Sequence, residues 1–132
     1  MKTPPNPVYL HAYQPVTRTR NIRDRFFKLL DPFPFTGGLT SCEALWMGVP
    51  VVTMPMDRVV SRQSYAFLGT VGLSEFGAGS EDEYVRIAAE LAADTDRLAD
   101  LRRTMRSRMQ RSVLMDIDGF TAGLEKAMVE TS

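Results

Sequence analysis

A chain of 132 residues with 44% apolar and 24% charged side chains has the size and balance of one globular domain, not of a disordered or fibrous protein. Sixteen basic residues cancel sixteen acidic ones, so no overall field gathers nucleic acid or an anionic membrane. A single cysteine, Cys42, and a single histidine, His11, rule out an intramolecular disulfide and a cysteine-cluster zinc site.

The first residues, "MKTPPNPVYLHAYQ", carry three prolines and lack the continuous apolar core of a signal peptide. No apolar run approaches the roughly 18 to 20 residues that span a bilayer. A cytoplasmic, reducing location is the expectation. "VYLHAY" has the look of a short strand. Arg18 to Lys28 holds five basic residues and one acidic one, and a helix over 21–30 has an unconvincing apolar spacing. Residues 1–28 are therefore left unassigned, and 29–132 are read as one unit.

The signals sharpen at Leu29. In "DPFPFTGG", Pro32 and Pro34 bar a helix, while Gly37 and Gly38 permit a tight turn. Thr40 and Glu43 are spaced as a capping box, with Thr40 as N-cap. Cys42, Leu45 and Trp46 then fall on one helical face, and Gly48 with Pro50 supplies a stop. "VVTM", Val51 to Met54, is short, uncharged and β-branched, as in the buried strands of parallel sheets.

A helix from about Ser61 to Gly72 would bury Tyr65, Leu68 and Val71. A second capping box, Ser80 to Glu83, opens a helix burying Tyr84, Ile87, Ala88 and Leu91. Asp94 caps a helix carrying Leu98, Leu101 and Met105, and a last helix from about Asp118 to Val129 presents Phe120, Leu124, Ala127 and Met128. Six arginines against one aspartate between Arg97 and Arg111 suit a solvated helix face better than an RNA surface, given the neutral net charge. The element order is α/β, with too few strands for a whole domain of that class.

Two glycines ahead of a helix start admit two readings. One is a turn plus cap. In the other the helix end, with its unpaired N–H groups, receives an anion, and the glycines let a phosphate approach the backbone. Gly37, Gly38, Leu39, Thr40 and Ser41 would form that cradle, and Glu43 would either reach ribose hydroxyls or cap the helix itself.

The longer string "DPFPFTGGLTSCEALWMGVPVVTMPMDRVVSRQSYAFLGTVGLSE" resembles the carboxy-terminal catalytic region of protein O-GlcNAc transferases, in particular the bacterial SPINDLY-like members. The downstream "EDEYVRIAAELAADTDRLADLRRTMRSRM" and "MDIDGFTAGLEKAM" follow the same pattern, so the likeness runs from Asp31 to the C-terminus. It implies a GT-B glycosyltransferase fold, with this chain as part of the Rossmann-like C-terminal half, helix-rich toward its end. It implies transfer of N-acetylglucosamine from UDP-GlcNAc to Ser or Thr hydroxyls of a protein acceptor, with no metal and no other cofactor. Carried over by position, Gly38, Leu39 and Thr40 match the diphosphate turn, Glu43 the acidic ribose ligand, and Arg62 one of a Ser-Arg pair, facing either the cleft or solvent. Where some relatives have His-Thr-Thr, this chain has Gly-Leu-Thr. The family's upstream histidine has no counterpart near Thr19, so the catalytic residues are not assigned in this chain.

Taken alone the chain is expected to be inactive. Its missing catalytic half or a second copy would cover what half a Rossmann-like domain leaves bare. The alternative is a truncated, non-catalytic module binding a nucleotide or a protein.

Overall fold

The computed structural model describes residues 30–132. The expected strand at "VYLHAY" and the basic segment 18–28 lie outside the described residues. Five α-helices follow in chain order: α1 (Leu39–Trp46), α2 (Gln63–Thr70), α3 (Glu81–Ala93), α4 (Thr95–Gln110) and α5 (Ile117–Glu130). Short 3-10 turns at Val59–Ser61, Ser74–Phe76 and Val113–Met115 lead into α2, α3 and α5.

Among the described residues the β component is smaller than the sequence suggests. Val51 to Met54 are all buried, but they form no full strand. Val52 makes one parallel bridge to Leu30, and Thr53 one to Gly77. Three hydrogen bonds define this ladder: Asp31 N–H to the Val52 carbonyl at 2.9 Å, Thr53 N–H to Phe76 at 3.0 Å, and Ala78 N–H to Thr53 at 2.8 Å. The chain turns away from 52–53 after Asp31, at Pro32, on one side, and at Gly79–Ser80 on the other. The described residues are thus mostly helical, with a parallel seam in the order 30, 52, 77.

Around that seam packs one core. Leu45 from α1, Leu68 from α2, Leu91 from α3, and Leu101, Met105 and Met109 from α4 join Val51, Val52, Leu73 and Phe76. The helix ends are well made. Ser80 Oγ accepts from the Glu83 N–H at 3.2 Å, and Asp94 from the Arg97 N–H at 2.9 Å, as the capping patterns predicted. Glu83 reaches back one residue further than a strict capping box, to the Gly79 N–H at 2.7 Å.

α1 and α2 both close in Schellman motifs. Val49 N–H bonds the Ala44 carbonyl and Gly48 N–H the Leu45 carbonyl, with Gly48 at φ 78°. Leu73 and Gly72 repeat the pattern on Leu68 and Gly69, with Gly72 at φ 75°. Gly48 also lets α4 come close, since a Cβ there would lie 2.8 Å from the Arg102 Cα.

α5 forms where the spacing places the last helix, and it leaves its apolar face bare. Asp116 caps it by accepting from the Gly119 N–H at 2.9 Å, but no residue of α5 is buried. Phe120, Leu124 and Met128 form the apolar face that the spacing predicts, and that face is open to solvent among the described residues.

Candidate functional site

The loop 31–38 crosses the end of the parallel seam and delivers the chain into α1. Asp31 anchors it. Its carboxylate is buried, with Oδ1 accepting from the Gly37 N–H at 2.8 Å and Oδ2 from the Thr53 hydroxyl at 2.8 Å. Burial raises its pKa above the ordinary aspartate value, against the opposing pull of the hydrogen bonds it accepts from Gly37 and Thr53. Thr36 fastens the loop from the other side, its N–H and hydroxyl both donating to the Val60 carbonyl, at 3.0 and 2.8 Å.

The two glycines have different jobs, and neither needs a positive φ. A Cβ on Gly37 would collide with Ser41 Oγ and stand 2.9 Å from Thr40 Oγ1, so only glycine fits between the loop and the first turn of α1. Its N–H is already committed to Asp31 and its carbonyl to the Ser64 hydroxyl at 3.0 Å. Gly37 therefore supplies room for the turn, and offers no N–H to a ligand.

Gly38, with φ −105° and ψ −96°, is the N-cap of α1, and no side chain caps that end. This corrects the expected capping box: Thr40 lies inside the helix as its second residue, and Glu43 lies beyond the position from which it would reach back. The physical reason is the Asp31–Gly37–Ser64 clamp, which starts the helix two residues earlier than the hydroxyl pattern suggests. The Gly38 carbonyl takes the N–H groups of Ser41 and Cys42, at 3.1 and 3.3 Å. No acceptor for the N–H groups of Gly38, Leu39 or Thr40 occurs among the described residues. Leu39 and Thr40 are exposed, and the end of α1 faces outward.

The other expected site residues divide. Glu43 is exposed on the flank of α1, one turn from the free N–H groups. Ser41 turns inward instead: it is buried, with its hydroxyl 2.8 Å from that of Ser64 and its N–H on Gly38, so it braces the turn. Arg62 is exposed, donates to the Met56 carbonyl at 3.1 Å, and lies over the Tyr65 ring at 5.7 Å. Its predecessor Ser61 is buried, donates to the Arg58 carbonyl and accepts from the Met56 N–H, which shapes the loop before α2. Gln63 is the α2 residue that approaches the turn, its Oε1 lying 3.3 Å from where a Gly38 Cβ would be.

Sequence reasoning passed over Asp31, Ser64 and Gln63 as site residues. An aspartate before a proline looks like turn chemistry, and a serine inside a helix has no pattern that marks a partner 27 residues away.

Beside α1 lies a cavity of about 400 Å³ lined by Cys42, Glu43, Trp46, Met47, Met109 and Met115. Arg106 lies over the Trp46 ring at 4.9 Å and donates to the Trp46 carbonyl at 3.3 Å. Burial, and secondarily the Glu43 charge, raises the Cys42 thiol pKa, which favours its protonated form. Among the described residues no group of three or more His, Cys, Asp or Glu side chains is placed to hold a metal ion, and no helix is long and apolar enough to cross a membrane.

An uncapped helix start behind a glycine turn at the end of a parallel seam is the arrangement by which nucleotide-dependent α/β proteins hold phosphates. The chain belongs to glycosyl transferase family 41, whose model matches residues 28–124. It is 44% identical over 98 residues to a Hordeum vulgare protein described as a probable UDP-N-acetylglucosamine–peptide N-acetylglucosaminyltransferase SPINDLY, covering 74% of this chain and 10% of that protein. It is 35% identical over 89 residues to the UDP-N-acetylglucosamine–peptide N-acetylglucosaminyltransferase of Caenorhabditis elegans, covering 67% of this chain and 8% of that one. Among solved structures, a mutant of the Thermobaculum terrenum O-GlcNAc transferase superposes with a TM-score of 0.69 at 40% identity, over 75% of this chain and 19% of that one. The chain thus spans about a tenth of the length of the curated relatives it matches.

Proposed function

We propose that this chain is the UDP-binding distal portion of a glycosyltransferase that moves N-acetylglucosamine from UDP-GlcNAc to Ser or Thr hydroxyls of a protein acceptor. The observation that carries the reading is the outward-facing start of α1, where the N–H groups of Gly38, Leu39 and Thr40 have no acceptor among the described residues. An anion there gains the helix-end charge, worth roughly 0.3 to 1 kcal/mol at an exposed position, plus the hydrogen bonds themselves. In the transfer reaction negative charge grows on the leaving diphosphate, so fixed donors at this end stabilise the transition state more than the ground state.

In this reading the Thr40 hydroxyl adds a side-chain donor to the diphosphate, and Glu43, a turn further along, accepts from the ribose hydroxyls. Arg62 contributes positive charge near the mouth. Ser41 and Gly37 contribute through the shape of the turn. The metal-independent expectation is retained, with helix N–H groups and basic side chains in place of a cation. The parallel order 30, 52, 77 supports a Rossmann-like half within a GT-B architecture. A cytoplasmic setting is part of the same reading. The bare face of α5 is where the remaining catalytic half, or a second copy, would seat.

Titration calorimetry of the full chain with UDP tests the reading. Thr40→Ala should weaken binding about fivefold, the worth of one ordinary hydrogen bond, and Glu43→Ala by about tenfold or more, since its bonds carry a charge. No binding at millimolar UDP from a folded sample would make the turn purely structural. The exposed face of α5 also favours a second reading, a non-catalytic nucleotide- or protein-binding module. UDP binding by this chain, without transfer activity when it is combined with the upstream half of a relative, would select that alternative.

A further inference from the structure

The di-glycine turn is held from beneath by a buried polar cluster that has no place in the diphosphate reading as stated. Asp31, Thr53, Ser41 and Ser64 are all buried, and no buried side-chain polar atom among the described residues lacks a hydrogen-bond partner. Two members of the cluster grip the same residue from opposite ends. The Asp31 carboxylate takes the Gly37 N–H at 2.8 Å, and the Ser64 hydroxyl donates to the Gly37 carbonyl at 3.0 Å. Ser64 is further tied to Ser41 in the first turn of α1, and Asp31 to Thr53 in the parallel seam.

We propose that Asp31 and Ser64 are positioning residues for the nucleotide diphosphate, clamping both polar groups of Gly37 so that the next three N–H groups of Gly38, Leu39 and Thr40 converge on one point. This inference rests on the reading of that helix start as the diphosphate site. Its logic is conformational. Gly38 sits at an uncommon φ and ψ pair, and glycine has the widest choice of alternatives, so an unclamped turn would spread over several arrangements. The peptide that joins Gly37 to Gly38 includes the carbonyl that Ser64 holds, so fixing that carbonyl also fixes the direction of the Gly38 N–H. Donors fixed beforehand bind an anion without the ordering cost that a mobile turn would carry.

Asp31 does not contact the ligand in this scheme. Both its oxygens are occupied by protein donors, and it lies behind the turn. Its neighbours assign it to the seam, so its effect reaches the ligand only through the Gly37 peptide.

The test compares UDP affinity with fold stability in the full chain, well below the melting temperature. Ser64→Ala and Asp31→Ala should each weaken UDP binding about tenfold, the equivalent of one well-placed hydrogen bond. Asp31→Asn, whose amide oxygen can still accept from Gly37, should recover affinity to within about threefold of the parent. Leu101→Val, a core change in α4 remote from the turn, should lower the melting temperature and leave affinity unchanged. In amide NMR spectra the Gly38, Leu39 and Thr40 signals should shift or broaden in Ser64→Ala and stay in place in Leu101→Val. If Asp31→Ala fails to fold, Ser64→Ala carries the comparison.

Parental affinity in folded Ser64→Ala, with Thr40→Ala still weakened, would overturn the positioning role and leave the diphosphate site standing. Equal weakening in Leu101→Val would overturn it too, by showing that affinity merely follows stability. A folded parent chain that binds no UDP would remove the site itself, and the inference with it.

Discussion

The Tyr84 hydroxyl donates a 2.8 Å hydrogen bond to the backbone carbonyl of Asp31, 53 residues earlier in the chain. It ties the first turn of α3 to the start of the loop that builds the candidate site. The Phe33 ring meets Tyr84 edge-on, with centroids 5.4 Å apart and planes at 82°. Burial, then the Asp31 charge, pushes the phenol well above its ordinary pKa, so it remains a donor throughout the physiological range. Tyr84→Phe keeps the ring contact and removes one hydrogen bond from a partly buried carbonyl. Urea unfolding should show a loss of about 1 kcal/mol, whereas an unchanged midpoint would mean that water replaces the hydroxyl without cost.

The pH dependence of Asp31 runs against the usual direction for an acid. Its pKa in the folded chain is raised, so the folded state holds the proton more tightly than the unfolded state does. Its contribution is complete below the ordinary aspartate value of 3.8 and is lost as pH rises through the folded pKa. Relative to Asp31→Asn, the parent chain should therefore lose stability as pH rises from that value through the folded pKa. Paired urea midpoints across this window check the sign. A parent curve that gains on Asp31→Asn over the same interval would show that the hydrogen bonds from Gly37 and Thr53 outweigh burial.

Most of the helical skeleton was legible because capping chemistry is local. Ser80, Asp94 and the glycines at 48 and 72 each act within a few residues of themselves, and each sits where the spacing placed it. The start of α1 was misplaced because its position is set at long range. Asp31, Ser64 and Val60 hold the 36–37 segment through bonds that cross 6 to 27 positions in sequence. No periodicity encodes such partners. For the same reason Ser41, read as a ligand contact from its place in a hydroxyl pair, proved to be an internal brace. The strand expected at Val51 to Met54 has the burial that its β-branched composition predicts. How far its neighbours run alongside depends on where they turn, which local sequence does not state.

Gly48 and Gly123 should respond oppositely to alanine. At Gly48 a side chain requires φ 78° and meets the α4 backbone, with Arg102 Cα at 2.8 Å and its carbonyl oxygen at 2.9 Å. The left-handed conformation costs about 1 to 2 kcal/mol and overpacking a further 1 to 3, so Gly48→Ala should lose roughly 2 to 5 kcal/mol in denaturant unfolding. Gly123 lies in α5 with nothing within 4 Å of a Cβ. Gly123→Ala should raise the local helix preference by about 0.5 to 1 kcal/mol. Because α5 buries nothing, the gain should appear as increased ellipticity at 222 nm, with the cooperative melting of the core unchanged.

The last prediction concerns α5 itself. A 14-residue helix is marginal in water when nothing packs against it, and the only ion pair within α5, Lys126 to Glu130 at 3.8 Å, is well exposed. Its apolar face repeats at Ile117, Phe120, Leu124 and Met128, the spacing of a stripe built to be covered. When the chain is alone in solution, a second copy is the cover at hand, so helicity should fall on dilution as association is lost. Sedimentation velocity should show a concentration-dependent oligomer in the parent chain and a monomer in the Phe120→Asp, Leu124→Asp double variant. The double variant should keep core unfolding within about 0.5 kcal/mol of the parent, because exposed positions carry little of the core's stability. A parent chain that remains monomeric and fully helical on dilution would show that α5 stands on its caps alone.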